Sequence, residues 1–548
     1  MKHTLNKTRL SVAVLAALSG MSLSPVQAQT VNNDDTLEVI EVTSFRGSLI
    51  KAKDLKREAI ISRDSILAED IADFPDLNLA DSLQRVPGIT ITREAGEGRQ
   101  ISLRGLGPDF TRVQVNGMEA MGTSASPMDA KGSVSRTRGF DFNVFASELF
   151  NRIDVNKTYS ADQEEGGIGS TVGLYTAKPF DYTGFKSAVS LRGGYNDNSE
   201  ETDPRFAGLI SNTWNNVGAL VSVAYSERNT TEFGTNTTRW RRETGKSAAD
   251  DTNTALQAEL DSGELWFPRG HRFSLWNNKQ QRLGLTGALQ FKPSDDFSVT
   301  LDVMYAQLEN NQDEHHTAVK DNKVVKDLEW VENGGQKEVV YASYEDATWR
   351  NENSRRFNES TFSQYTLTAE WQLTDNLNMT GLLGTSSSDF DQPRVQKSNI
   401  HARKKVDIIS DFTGDRFYGV SYSPDFDTTG IEGFEVKDIY LQENYITNDF
   451  DTAKVDFTYY TGDTGVLSFG ANYKEFENSE YQLSQSNAQN IAPQNTGDIT
   501  LTADMISVFT QHPDTNWIQG NLSVLLDHYG LADYRIDDSN INRNTKSP

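Results

Sequence analysis

The sequence predicts a small α+β domain followed by an antiparallel transmembrane β-barrel. Three observations lead there. The chain opens with an export signal and afterwards holds no apolar run long enough for a helical span. Residues 48–181 read as a compact unit mixing helix and strand signals. From residue 185 onward, stretches of about ten residues alternate apolar and polar side chains, the pattern of a barrel wall.

The export signal comes first. Lys2, Lys7 and Arg9 make a positive start, residues 10–18 (LSVAVLAAL) a short apolar core, and Val26-Gln27-Ala28 a small-residue cleavage site. This gives a signal peptide over 1–28 and a protein that leaves the cytoplasm. Residues 29–47 are a polar tail containing Leu37, Glu38, Val39, Ile40, Glu41, Val42 and Thr43. That run is rich in strand formers, and it suits either a strand donated to a partner's sheet or the first strand of the next domain.

Within 48–181, residues 54–61 and 79–85 read as short helices, the second ended by Pro87-Gly88. Strands follow at 89–92, 100–104 and 111–115, with Asn116-Gly117 as a hairpin turn, then at 152–157 and 171–177. Beyond 185, nine segments alternate with period two: 187–195, 207–213, 218–227, 282–291, 297–308, 364–373, 377–385, 452–460 and 466–475. In the fifth, Phe297, Val299, Leu301, Val303 and Tyr305 share one face while Ser298, Thr300 and Asp302 share the other. Alternation alone also fits a soluble sandwich. The connections separate the two. Tight turns at 214–217, 292–296, 374–376 and 461–465 alternate with joins at 196–206, 229–281, 309–363, 386–451 and everything after 476. Short turns on one side and long loops on the other mark a membrane barrel.

Composition narrows the function. The net charge of -26 argues against a nucleic-acid groove, which needs a basic face. The absence of cysteine removes thiol nucleophiles and Cys-ligated metals. No nucleophile stands with a base and an orienting group, so no enzymatic activity is expected and no cofactor is implied.

Several stretches resemble the TonB-dependent receptors of Gram-negative outer membranes. They are LADSLQRVPGI (79–89), ISLRGLG (101–107), VQVNG (113–117), FNRIDVNK (150–157) and EGGIGSTV (165–172), in the family's order. The wording GEGRQISLRGLGPDFTRVQVNG, with a closing AKPFD, is most similar to the subgroup described from Xanthomonas and Caulobacter, several members of which take up oligosaccharides. The resemblance implies that residues 37–43 are the TonB box, 48–181 the plug, and 185–548 the barrel with long extracellular loops. It implies plug-motif roles for Arg104, Gly105, Asn116, Gly117, Gly166, Gly167 and Gly169. It also implies a TonB-type energy-transducing partner in the inner membrane, outer-membrane lipid around the wall, and a small nutrient ligand. Such a barrel has about 22 strands, whereas nine are legible here and the polar 540–548 carry no terminal strand. The chain therefore reads as an N-terminal part with an incomplete barrel, a fragment or a truncated product.

Individual residues carry two readings each. Arg104 either pairs with a wall carboxylate or is a solvated turn charge. The glycines at 166, 167 and 169 lack the strand-then-helix setting of a phosphate loop and fit close backbone contact, with Glu164 and Glu165 solvated beside them. Trp240, Trp266, Trp276, Trp330 and Trp349 are candidates for stacking on a sugar, or pack the loops. Trp214 and Trp371 suit an interfacial girdle. His315-His316, beside Asp313 and Glu314, reads as an exposed charge cluster rather than a metal site. The functional expectation is energised uptake of an oligosaccharide or another scarce nutrient. A ferric-siderophore receptor and a decayed receptor remain open, and a passive porin or adhesin has no use for a plug and a box.

Overall fold

The computed structural model describes residues 45–67, 78–123, 138–161, 163–237, 239–320, 322–402, 405–414, 419–422, 427–431, 434–462, 465–491, 501–512, 515–534 and 536. The signal peptide and residues 37–43 lie outside the described residues. Among the described residues no helix is long and apolar enough to cross a membrane, which leaves crossing by strands open.

The first part is built on two sheets. Strands β1 (Arg63–Leu67), β2 (Ile89–Glu94), β3 (Glu97–Leu103), β4 (Thr111–Val115), β5 (Met118–Glu119), β6 (Phe150–Asn156) and β7 (Ser170–Thr176) arise in that order. Five of them form a sheet ordered β1-β6-β7-β4-β5, with β4 and β7 parallel, and β2–β3 stands apart as a hairpin. Alternation sends Val113, Val115, Ile153, Val155, Val172 and Leu174 inward, where they meet Leu79 and Leu83. Those two leucines come from the helix Leu79–Leu83, whose N-cap Asn78 accepts from the Ala80 amide at 2.6 Å. The other helix runs Phe45–Glu58, earlier and longer than the 54–61 read from sequence. Asn116 (φ +50°) and Gly117 (φ +85°) turn β4 into β5 as expected, because a two-residue hairpin of this kind needs both residues left-handed.

The second part is a wall of nine antiparallel strands in consecutive order: β8 (Lys186–Asn196), β9 (Glu201–Trp214), β10 (Val217–Asn236), then β14 (Arg272–Ser294), β15 (Phe297–Lys320), β17 (Gln336–Thr374), β18 (Leu377–Ala402), β21 (Phe434–Thr461) and β22 (Gly465–Gln485). Each of the nine segments read from sequence lies inside one of these strands. Near the short turns, Leu289, Phe291, Leu301, Leu367 and Leu383 point outward and are exposed, whereas Thr286, Thr300, Asp302, Gln364 and Thr366 point inward and are buried. That is the facing a lipid-embedded wall requires. The sheet is open, with β8 and β22 at its edges.

The long joins differ from the reading. Residues 196–206 are mostly strand, with a turn only at 197–200. The wall strands run far past the lipid-facing band, and β17 reaches 39 residues. Between them, β11 (Trp240–Arg242), β12 (Ser247–Ala248), β13 (Leu265–Pro268), β16 (Val324–Asn333), β19 (Val406–Asp411) and β20 (Gly419–Tyr422) join the upper part of β17 or one another. Phe267, Val325, Tyr344, Trp349, Ile408, Ile439, Ile518 and Leu525 bury together there as a second apolar core. The long joins thus fold into a cap.

Candidate functional site

The seam where the first part sits against the wall is the candidate site. Part of it is apolar. Leu149 and Phe150 share one buried cluster with wall residues Leu220, Ala224, Met304, Ala306 and Phe362. Two wall glycines make room for inserted side chains. A Cβ on Gly284 would lie 2.4 Å from Leu149 Cδ1, and one on Gly384 would lie 2.4 Å from Met118 Sδ.

The rest of the seam is polar and charged. Arg282 of β14 donates through one terminal nitrogen to both carboxylate oxygens of Glu97 at 3.0 Å, and through Nε to the Asn143 carbonyl at 2.6 Å. Arg228 of β10 donates to the Gly96 carbonyl at 2.9 Å. Burial works to raise the Glu97 pKa, but the guanidinium groups of Arg282 and Arg228 and a hydrogen bond from Asn78 outweigh it and hold it below the usual carboxylate value. Behind this latch, Arg99 pairs with Asp141 at 2.9 Å and with Glu94 at 2.5 Å. Burial opposes the charge on Arg99, and the two carboxylates more than restore it. Elsewhere Arg205 pairs with Glu148, and Lys178 with the inward Asp302. Gln364 donates to the Val115 carbonyl at 2.8 Å, Asn448 to Thr123 Oγ1 at 2.7 Å, and Lys474 meets Glu119 at 3.3 Å and Glu164 at 3.2 Å. Such contacts hold while dry and lose much of their strength once water reaches them, so a mechanical pull can undo them stepwise. At the short-turn end a cavity of about 750 Å³ is lined by Asn116, Gly117 and Lys178 of the first part and by Asp302, Glu370 and Lys454 of the wall.

The residues singled out from sequence are distributed as follows. Arg104 (φ +52°) is exposed and donates to the Lys157 carbonyl at 3.2 Å, and Gly105 (φ +80°) completes its turn. Asn116 exchanges hydrogen bonds with Thr176 at 3.0 Å. A Cβ on Gly166 would sit 2.7 Å from the Arg112 guanidinium, one on Gly167 2.7 Å from the Ser170 carbonyl oxygen, and one on Gly169 3.2 Å from that of Phe110. Glu164 is not solvated: it is buried against Lys474 of the wall, while Glu165 is exposed.

The tryptophans do not converge. Trp240 is part-exposed in the cap beside Phe412, with ring centres 5.4 Å apart. Trp266 lies under Arg242 and Trp330 under Lys337. Trp349 is only 1% exposed in the cap core, and Trp276 lies on the inner wall, donating to Glu314 at 3.3 Å. Trp214 and Trp371 face outward at the short-turn rim. His316 is not an exposed loop residue either. It is buried on β15 between Ser274 at 2.8 Å and Glu314 at 2.5 Å, with Arg356 on the other Glu314 oxygen at 3.0 Å. Among the described residues no group of three candidate ligands could hold a metal ion.

The residues that fasten the seam, Glu97 and Arg282 above all, were not read from sequence. A polar inward position on a wall strand looks the same whether it faces water or a buried partner.

Residues 55–171 match the family model described as TonB-dependent Receptor Plug Domain. A probable TonB-dependent siderophore receptor, PirA of Acinetobacter baumannii, is 28% identical over 177 residues, covering 31% of this chain and 23% of that protein. The ferric enterobactin receptor PirA of Pseudomonas aeruginosa is 28% identical over 187 residues, covering 31% and 24%. The matched stretch thus spans about a quarter of these curated relatives. Among solved structures, the siderophore receptor PirA from Acinetobacter baumannii overlaps 79% of this chain and 78% of its own at 12% identity and a TM-score of 0.26. The copper transporter OprC overlaps 77% and 61% at 12% identity and a TM-score of 0.32. Overlaps at this level carry no inference about function.

Proposed function

We propose that this chain, whose residues 55–171 are a TonB-dependent receptor plug domain, is an energised uptake receptor for a scarce nutrient. TonB-dependent receptors are transport proteins of the Gram-negative outer membrane, and that membrane is this chain's location. The observation that carries the proposal is the seam itself. Beside the apolar contact made by Leu149 and Phe150, the plug is fastened to the wall by discrete buried latches, Arg282–Glu97 foremost. A plug meant to stay would gain more from hydrophobic packing than from buried ion pairs. A plug meant to move needs contacts that release when water enters.

In this reading residues 37–43 add a strand to a TonB-type protein of the inner membrane. Main-chain hydrogen bonds supply the grip while side chains stay free to vary. Force on that strand draws the plug off the wall, and ligand held beneath the cap passes through. An oligosaccharide is our first choice of substrate, following the resemblance to the Xanthomonas and Caulobacter subgroup. A ferric siderophore is the second, favoured by the relatives from Acinetobacter and Pseudomonas. Chemistry on the substrate has no part in either.

The test is Ile40→Pro, which removes a backbone donor from the strand. The expected result is loss of uptake with surface binding of the nutrient unchanged. Uptake at the wild-type rate would refute the assignment of residues 37–43 as the strand that is pulled.

A further inference from the structure

In the cap, two of the long joins meet at a buried lysine. Lys246 lies between β11 and β12, and Asn322 lies between β15 and β16. They stand just ahead of the short parallel ladder Ser247↔Val324 and Ala248↔Val325, which sets the two joins side by side. Lys246 Nζ donates to the Asn322 backbone carbonyl at 2.6 Å and lies 3.5 Å from the Asn322 side-chain oxygen, across 76 residues of sequence. Glu243 meets the same nitrogen at 2.7 Å. Gly245, at φ +80°, makes the turn that brings Glu243 and Lys246 together. The centre of the Phe267 ring is 4.6 Å from Nζ and that of the Tyr344 ring 5.3 Å. Lys246 is 3% exposed and Asn322 6%.

An ammonium is costly in such a place even when paired. Burial draws the Lys246 pKa down despite Glu243 beside it. A lysine that gives up its proton is a nucleophile. The Asn322 side-chain amide is the electrophile at hand, and a rotation of that amide brings its carbon into the range of about 3–3.5 Å from which reacting atoms engage. Glu243 is within the reach required of a proton carrier. The low exposure of Lys246 and Asn322 keeps bulk water from competing for the amide carbon.

We propose that the side chains of Lys246 and Asn322 join in an amide cross-link, with Glu243 carrying the protons. Glu243 takes one proton from the Lys246 ammonium, and the freed amine attacks Cγ of Asn322 to form the Nζ–Cγ bond. Glu243 passes that proton to Nδ2 as the Cγ–Nδ2 bond breaks. It then takes the second proton that Nζ loses and hands it to the departing ammonia. The products are a secondary amide and one ammonium ion, with charge conserved and no oxidant or reductant required. The chain has no cysteine, so a disulfide cannot fasten these joins, and a ladder of two residue pairs is marginal by itself. An amide closes the 76-residue loop and restricts the unfolded cap as a disulfide would. Unlike a disulfide, it is indifferent to reductant. The cross-link is independent of what the protein transports.

The experiment is a tryptic map of the full chain purified in detergent, reduced, denatured and read by mass spectrometry. In the wild type, residues 243–269 should appear uncut at Lys246 and joined to residues 321–323, lighter by one ammonia than the two peptides together. Asn322→Ala and Lys246→Met should each abolish the branched peptide. Glu243→Gln should lower its yield at least tenfold while leaving both reacting side chains in place. Complete cleavage after Lys246 in the wild type, with 321–323 released as a linear peptide, would overturn the proposal whether or not any variant folds. A branched peptide of wild-type yield in Glu243→Gln would overturn the role given to Glu243.

Discussion

Glu97→Ala should unseat the plug hairpin more than any other single change at the seam. Glu97 is 2% exposed and Arg282 5%, so neither charge is screened by solvent. The substitution leaves the guanidinium buried with only the Asn143 carbonyl as partner. Breaking one side of a buried pair costs about 3–5 kcal/mol, most of it from the charge left behind. Because about 1.4 kcal/mol is a factor of ten, amide exchange of β2 and β3 through local opening should accelerate on the order of 10²–10³-fold. The double variant Glu97→Ala/Arg282→Ala should recover much of the loss, since no orphan charge then remains. The pH dependence has a definite sign. The folded-state pKa of Glu97 is depressed, so its stabilisation is complete above its ordinary value of 4.5 and is lost as pH falls through the lower folded value. The opening free energy of the wild type, read from exchange corrected for its intrinsic pH dependence, should therefore fall on acidification below 4.5, and the Glu97→Ala variant should lose that component. Exchange within threefold of wild type at neutral pH would refute the latch.

Two further predictions separate plug from cap. Trp349→Ala empties the largest buried side chain of the cap core and should cost about 3–5 kcal/mol, read as protease cleavage confined to the long joins, with the plug hairpin's exchange unchanged. An unchanged cleavage pattern would mean that the cap core is not a folded unit. Gly167→Ala should destabilise the plug by about 2–3 kcal/mol, because its Cβ meets a backbone oxygen at 2.7 Å. Gly105→Ala meets no atom within 4 Å and should cost only its left-handed strain, about 1 kcal/mol. Equal losses in chemical denaturation would show that space at Gly167 is not limiting.

The sequence revealed the wall where lipid imposes a rule, and lost it where the rule ends. Leu301, Val303 and Tyr305 must be apolar because they face outward in the lipid band, so β15 is visible there. Ten residues on, Asn311, Asp313 and His315 hold the same outward positions in an unbroken ladder, yet nothing there requires an apolar side chain. The alternation vanishes while the hydrogen bonds continue, and the strand reads as loop. The cap was hidden for another reason. Phe267, Tyr344, Ile408 and Ile518 are far apart in sequence and become a core only when four long joins meet. His316 was misplaced with its strand, because a His-His pair among carboxylates looks solvated until Ser274 and Arg356 close around it. The plug was far more legible, since its turns need particular residues: Asn116-Gly117 announces a hairpin, and Pro87-Gly88, with Gly88 at φ +92°, ends the helix ahead of it.

The claim that the plug must leave the wall for transport can be tested on one bond. The chain has no cysteine, and Asn448 of the wall touches Thr123 of the plug at 2.7 Å. The pair Thr123→Cys/Asn448→Cys can therefore be joined as the only disulfide in the protein. In cells carrying it, uptake of the nutrient should stop on oxidation and return with reductant, while surface binding stays constant in both states. Full uptake with the disulfide closed would contradict plug movement as the route.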